Sequence, residues 1–388
     1  MPTRHPLCHH RHPMNVSQER SLSSIVRLAV LGLALLAMAA TASRAQEPLR
    51  EESTFLRIKL GGRDVRLEAL IVRPAAAAGK LPLALITHGK SASHISMGDL
   101  RAASYATVAR DLARRGWLAA VVMRRGFGQS DGPFPAAASC ANPDLTTQFN
   151  GDADELIEAL RTLQQRPDVD PERAIALGES AGGAAVLALA RRKPAGLRGV
   201  INVAGGLNLE ECTEKGRDAL VSTVKGFQAA SGVPQLWVYA KNDELFPPPL
   251  VDRMRAAALD AGGDVRFVEL PEIKPRGHLI FRNGQARYVW LAEMDASLRA
   301  WKLPTWSPAQ ARLRFAKLGL TARAGTFERY FAAPGEKAMA LSPSTKHFRY
   351  WFGTDSLELA RENALRECKK AAPDCVVAFE NDRPMLPE

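Results

Sequence analysis

Three side chains in this sequence could together perform nucleophilic catalysis: Ser180, Asp243 and His278. A serine hydroxyl is a weak nucleophile until a base removes its proton, and imidazole is the base whose ordinary pKa lies near neutrality. A carboxylate beside the ring holds it in the tautomer that accepts this proton and stabilises the imidazolium that forms. Ser180 sits in Gly178-Glu179-Ser180-Ala181-Gly182, Asp243 in Asn242-Asp243-Glu244-Leu245-Phe246-Pro247-Pro248, and His278 in Pro275-Arg276-Gly277-His278. Beyond the amino-terminal leader the histidines are His88, His94, His278 and His347, and only His278 follows the acid close to a strand end. Glu244, the next residue, is a competing acid.

The serine needs a particular scaffold. Residues 173–177 are largely aliphatic, and residues 181–192 are rich in Ala and Leu and stop before Pro194. This reads as strand, sharp turn, helix. A serine at the tip of such a turn projects above the sheet, and the first amides of the helix aim at the same point, so the Ala181 N–H is a candidate oxyanion donor. The Gly-x-Ser-x-Gly string alone arises by chance in roughly one chain in eight of this length, so the flanking strand and helix carry the inference.

The same alternation runs through the main domain. A hairpin is expected over residues 54–60 and 66–72, around Gly61-Gly62. Strands are expected at 83–87, 117–123, 197–203, 236–240 and 264–270, with helices at 99–115, 147–165, 250–261 and 288–301. Apolar strands alternating with helices predict an α/β fold, with a mostly parallel sheet covered on both faces. Such sheets place their sites at the carboxyl ends of the strands. Two more strand ends therefore matter. After residue 87 come His88-Gly89-Lys90, where the Gly89 or Lys90 N–H is the second candidate oxyanion donor. The irregular loop 124–145 supplies Arg125, Phe127 and Phe134 as candidate pocket walls.

Composition bounds the remaining possibilities. The chain has 388 residues, 46% hydrophobic and 24% charged, with a formal net charge of +11. These proportions are those of a globular protein. The leader, residues 1–45, holds five Lys/Arg and one acid, which leaves about +7 on the rest. No basic run with interleaved aromatics occurs, so a nucleic-acid partner is not expected. Arg20 and Arg27 precede an apolar run at 28–40, and Ser43 and Ala45 are small residues placed for cleavage after Ala45. That pattern predicts a bacterial secretory signal and a secreted or periplasmic protein without stable membrane insertion after cleavage. Met14 is an alternative start that would give the signal a normal length.

Cysteine usage agrees with export. Cys8 lies in the leader, leaving Cys140, Cys212, Cys368 and Cys375, which permit three pairings. Cys368 and Cys375 are near neighbours in a separate region, so they are expected to pair with each other and Cys140 with Cys212. Zinc-ligand spacings are missing, and no metal or cofactor is expected. Residues 46–302 are read as the catalytic domain, 303–325 as a linker beginning near Pro304, and 326–388 as a small α+β domain. Within the last two, helices are expected near 309–318 and 356–370, and strands near 337–342 and 375–379.

Taken together, these motifs resemble the α/β-hydrolase superfamily, in particular its dienelactone hydrolase and prolyl-oligopeptidase-like branch. The resemblance covers about residues 55–302. It rests on His88-Gly89, Arg124-Arg125-Gly126-Phe127-Gly128-Gln129-Ser130, Gly178 to Gly182, Asn242-Asp243 and Gly277-His278. It implies a Ser-Asp-His triad in that chain order and acyl transfer to water from a small ester. Dienelactone hydrolases proper carry a cysteine nucleophile, so the serine points instead to a general esterase, or to a peptidase of short peptides. The His-Gly-Gly-Gly loop of many lipases does not occur. A non-catalytic binding protein on the same scaffold is the alternative from another class. The pattern over 356–379 resembles a small secreted α+β domain with a helix-to-strand disulfide, often fused to exported proteins. Oligomeric state is left open.

Overall fold

The sheet begins as a hairpin: β1 (Leu49–Leu60) and β2 (Arg63–Pro74) pair antiparallel in unbroken register across Gly61-Gly62. Six further strands complete it: β3 (Leu81–Thr87), β4 (Leu118–Val122), β5 (Val169–Glu179), β6 (Leu197–Val203), β7 (Gln235–Ala240) and β8 (Val265–Leu270). Their order is β1-β2-β4-β3-β5-β6-β7-β8. β2 meets β4 antiparallel, and all later pairings are parallel. In this computed structural model the described residues are 49–386, apart from 78, 91–96, 134–137, 230, 306–314 and 321–323. The expected leader, its cleavage site, Phe134, His94 and most of the helix expected near 309–318 fall outside them.

Every residue of β4 and of β7 is buried. Unbroken Ala, Val and Leu runs suit central parallel strands because helices cover both of their faces. Those helices are α1 (Ala106–Ala113), α2 (Leu145–Gln164), α3 (Ala181–Arg191), α4 (Thr213–Gln228), α5 (Pro248–Asp260) and α6 (Gly284–Ala300). α3 is buried throughout residues 181–190, as its Ala, Gly, Val and Leu composition demands. Asp144 caps α2 by accepting the Thr147 N–H, and Asn283 caps α6 by accepting the Ala286 N–H.

Two elements differ from expectation: α4 forms where no helix was expected, and the helix expected over 99–115 is broken up. In place of a single helix over 99–115, the chain makes short 3-10 turns at Met97–Asp99 and Ala102–Tyr105 before α1 starts. The carboxylate of Glu68 on β2 accepts the N–H of Ala102 at 2.9 Å and of Gln129 at 2.7 Å. It thereby ties the segment to the sheet where a helix would have turned away.

The carboxyl-terminal part adds α7 (Ala324–Ala332), β9 (Ala338–Leu341), β10 (Phe348–Trp351), α8 (Leu357–Lys369), β11 (Val376–Glu380) and β12 (Arg383–Pro384). Its strands form a second, antiparallel sheet ordered β10-β9-β11-β12. Phe315, Tyr330, Phe331 and Phe379 form its aromatic core, and the Cys368–Cys375 disulfide joins the end of α8 to the start of β11. Residues 47–388 constitute one contact unit. Buried charges link α1 to α6 and reach from there to the carboxyl-terminal part. Arg115 Nε lies 2.7 Å from Asp295 and Arg287 Nε 3.1 Å from Asp111. Across the seam Arg115 Nη2 donates to Ala332 O at 3.1 Å, Arg114 pairs with Glu336 at 2.6 Å, and the Gly335 N–H donates to Asp111 at 2.8 Å. Among the described residues no helix is long and apolar enough to cross a membrane.

Candidate active site

Ser180 occupies the turn between β5 and α3 with φ 53° and ψ −121°, a left-handed backbone conformation that a side chain adopts only when its surroundings enforce it. The enforcement is visible. The Ser180 N–H donates to Val203 O at 3.0 Å, and Ser180 O accepts the N–H of Gly206 at 3.0 Å. A Cβ on Gly178 would lie 2.2 Å from Gly182 O, and one on Gly182 would lie 2.5 Å from His88 O. Both positions must therefore be glycine.

Asp243 follows β7, and His278 lies in the segment between β8 and α6. The structure brings both to the serine. His278 Nε2 stands 3.0 Å from Ser180 Oγ, and Nδ1 stands 3.1 Å from each carboxylate oxygen of Asp243. In this geometry Nδ1–H donates to the acid and Nε2 accepts the serine proton. Asp243 is 2% exposed and His278 6%, so water competes little for either bond. Asp243 Oδ1 also accepts the N–H groups of Leu245 and Phe246, each at 2.9 Å. The rival acid Glu244 holds the histidine segment rather than the ring: it accepts the His278 N–H at 3.1 Å and pairs with Arg276 at 2.6 Å. Burial works against its charge, but backbone donors and Arg276 keep its carboxyl below the usual range.

Ala181 is the first residue of α3, so its N–H has no carbonyl one turn earlier to donate to. Across the cleft, Gly89 is close enough that an added Cβ would come within 3.0 Å of Ser180 Cβ and 3.7 Å of Oγ. Lys90 is the next residue and is exposed. The sequence had not suggested a task for His88, which is wholly buried. Its Nδ1–H donates to Gly89 O at 2.8 Å, and its Nε2 accepts the Arg124 N–H at 2.9 Å. Burial, and then the Arg124 guanidinium, push its pKa well below the imidazole range, so the ring is neutral. Pinning the Gly89 carbonyl also fixes the direction of the Lys90 N–H, because the trans peptide is planar with the two groups opposed.

A cavity of about 580 Å³ opens over Ser180. Its walls include Leu100, Leu207, Leu209, Leu245, Phe246 and Leu279, with Lys90, Glu211, Arg276 and Arg282 as charged members. Two expected walls are corrected. Phe127 is 1% exposed and packs on the His88 ring at 4.3 Å, beneath the loop rather than in the cavity. Arg125 turns away to Glu155, whose buried carboxylate accepts its Nε–H at 2.7 Å and its backbone N–H at 2.9 Å. Among the described residues of the same loop, Ala138, Ser139 and Cys140 reach the cavity. The Cys140–Cys212 disulfide ties them to the segment carrying Leu209 and Glu211.

Glu179, the residue before the serine, escaped the sequence reading. It is 4% exposed and lines the cavity. Its carboxylate accepts the Tyr105 hydroxyl at 2.9 Å and faces Arg282 at 3.7 Å. Burial, then the Glu179 charge, raise the Tyr105 phenol well above its usual pKa, so it stays a donor. The available signal was a carboxylate inside an otherwise apolar elbow, which has to be buried with partners.

A family model described as "Serine aminopeptidase, S33" matches residues 100–261. No curated protein matches the chain. Among solved structures, a dienelactone hydrolase-like promiscuous phosphotriesterase from metagenomic libraries is similar at 18% identity and TM-score 0.42, covering 57% of this chain and 82% of that one. Est1E from Butyrivibrio proteoclasticus, with bound ferulic acid, is similar at 18% identity and TM-score 0.42, covering 55% and 88%. A puromycin-hydrolysing peptidase of Mycobacterium tuberculosis is similar at 17% identity and TM-score 0.46, covering 64% of this chain and 40% of its own.

Proposed function

We propose, from the premise that the chain is an α/β-hydrolase, that it is an exported serine hydrolase cleaving carboxylic esters through an acyl-enzyme. The observation that carries this is the hydrogen-bonded line Ser180–His278–Asp243 opening into the cavity. In this reading His278 Nε2 takes the serine proton as Oγ attacks the ester carbonyl. The Ala181 N–H and the Gly89 or Lys90 N–H hold the oxyanion, and His278 then protonates the departing alcohol. Water repeats the sequence on the acyl-enzyme and releases the acid. Export is supported by the leader, and the two formed disulfides suit an oxidising compartment; the mature amino terminus should be Gln46.

The serine aminopeptidase description of the matched family favours a second reading, a peptidase of short peptides. Glu211 at the cavity would then face a substrate amine.

The test is labelling by a fluorophosphonate on wild type and Ser180→Ala, beside turnover of p-nitrophenyl acetate, p-nitrophenyl butyrate and aminoacyl p-nitroanilides. We expect labelling and ester turnover in wild type only, with esters preferred. Preference for anilides would transfer the assignment to the peptidase. A folded wild type that is neither labelled nor active would leave a binding protein on a hydrolase scaffold.

A further inference from the structure

The histidine segment is held at two ends by different parts of the chain. At its inner end it is fastened to the acid loop. Asn242 Oδ1 accepts the Ile273 N–H at 2.9 Å, Asn242 Nδ2 donates to Ile273 O at 3.0 Å, and Glu244 accepts the His278 N–H. The backbones touch here as well, since a Cβ on Gly277 would lie 2.2 Å from Asn242 O.

The outer end, six residues after His278, is fastened to the carboxyl-terminal sheet. Gly284, the first residue of α6, lies against Gly353 just after β10. A Cβ on Gly284 would come within 2.9 Å of Gly353 O, and one on Gly353 within 3.1 Å of Gly284 Cα. One turn further along α6, the Tyr288 ring stacks on Phe352 with centroids 4.4 Å apart, and its hydroxyl meets that of Tyr350 at 3.3 Å. Beside it, buried Arg287 donates to Arg282 O at 2.7 Å and reaches Gly335 O at 3.5 Å. Its partner Asp111 accepts the Gly335 N–H. Arg282 itself lines the cavity four residues after His278.

We propose that the carboxyl-terminal sheet is a positioning element of the active site: through Gly353, Phe352 and Tyr350 it fixes the start of α6, and so the placement of the His278 ring between Ser180 and Asp243. This rests on the reading of His278 as general base. Between the two fastenings only residues 279–283 are left to absorb a displacement, so a shift of α6 passes into the ring. Placement of a catalytic group within a fraction of an ångström governs rate far more than ground-state binding. The sheet therefore acts on kcat and leaves KM alone, although it supplies no atom to the cavity.

The test uses the full mature chain with Phe352→Ala, which removes the surface under Tyr288, Gly284→Ala, which pushes α6 off Gly353, and Phe352→Tyr as the conservative control. Tyr350→Phe, which removes one hydroxyl only, serves if either of the first two fails to fold. Steady-state turnover of p-nitrophenyl acetate and the proton spectrum are recorded well below the unfolding temperature. The imidazole N–H held between His278 and Asp243 gives a downfield proton signal that does not depend on the ester chosen. The expected result is a fall in kcat of about ten-fold or more at nearly constant KM, with that signal shifted or broadened, and recovery of both in Phe352→Tyr. Folded variants with wild-type kcat and an unmoved signal would overturn the proposal. So would a loss confined to KM, which would place the effect in the cavity wall. If wild type shows the signal but hydrolyses no ester, the hydrolase reading fails on its own, and the signal in the variants still decides whether the sheet positions the ring.

Discussion

Replacing Asp243 by Asn should abolish most turnover while leaving the fold intact, and the structure says why. Oδ1 accepts two backbone N–H groups, from Leu245 and Phe246, at 2.9 Å each. An asparagine must keep its carbonyl oxygen there, since turning its NH₂ toward two donors would leave both unsatisfied in a buried site. The NH₂ then occupies the Oδ2 position, 3.1 Å from His278 Nδ1. Oδ1, equally 3.1 Å from Nδ1, already serves two amides, so the NH₂ is satisfied only by donating to an unprotonated Nδ1. The ring then carries its proton on Nε2, the atom that has to accept the proton of Ser180 3.0 Å away. A triad held in the wrong tautomer loses about 10⁴-fold in kcat, which is about 5.5 kcal/mol of transition-state stabilisation. Because both backbone bonds survive, the melting temperature should stay close to that of wild type. Asp243→Ala, by contrast, strips the two amides of their acceptor and should lower stability by about 1–3 kcal/mol. Turnover of p-nitrophenyl acetate with parallel thermal unfolding measures both effects. Asp243→Asn working within ten-fold of wild type would refute the tautomer argument and the assignment of Asp243 with it.

Two further outcomes can be measured independently. Cys140→Ser opens a disulfide spanning 72 residues, and urea unfolding should show a loss of about 2–4 kcal/mol, with KM rising more than kcat falls because Cys140 belongs to the cavity wall. Native His88 resists protonation, whereas in the unfolded chain it titrates near 6.5. The unfolded state thus binds the extra proton, so the stability from this group is complete above that pH and is lost as pH falls toward the lowered native value. The loss is at most about 1.4 kcal/mol per pH unit, and His88→Gln should flatten the wild-type slope of stability between pH 7 and 5; identical slopes would contradict it.

The α/β-hydrolase architecture was readable because its signals are local. Each central strand is a short apolar run with a turn at its end, and the elbow glycines announce where backbones must touch. Ser180, Asp243 and His278 were picked out for the same reason, since each follows a strand of the sheet, and the structure sets the three within 3.1 Å of their partners. The disulfide pairing followed from separation along the chain. What stayed hidden depends on contacts distant in sequence. Arg125 and Phe127 sit in a loop beside the site, and nothing local reveals that Glu155 on α2 captures the first or that the His88 ring covers the second. Glu179, Tyr105 and Arg282 come from three separate segments and meet only when β5, the turn before α1 and the histidine segment converge. The helix expected over 99–115 was interrupted by one carboxylate on β2, a competitor that periodicity does not register.

The disulfide between Cys140 and Cys212 also makes a closed covalent ring from 140 to 212, and Ser180 lies inside it. Within the ring are α2, β5, α3 and β6; Asp243 and His278 lie on the tail outside. A single backbone cut anywhere between residues 141 and 211 therefore does not divide the protein. The two new ends remain parts of one molecule, and the elbow is still attached to the strands on either side of it in the sheet. Under proteolysis, a nick in the exposed stretch before α2 becomes a change of connectivity instead of the loss of a fragment.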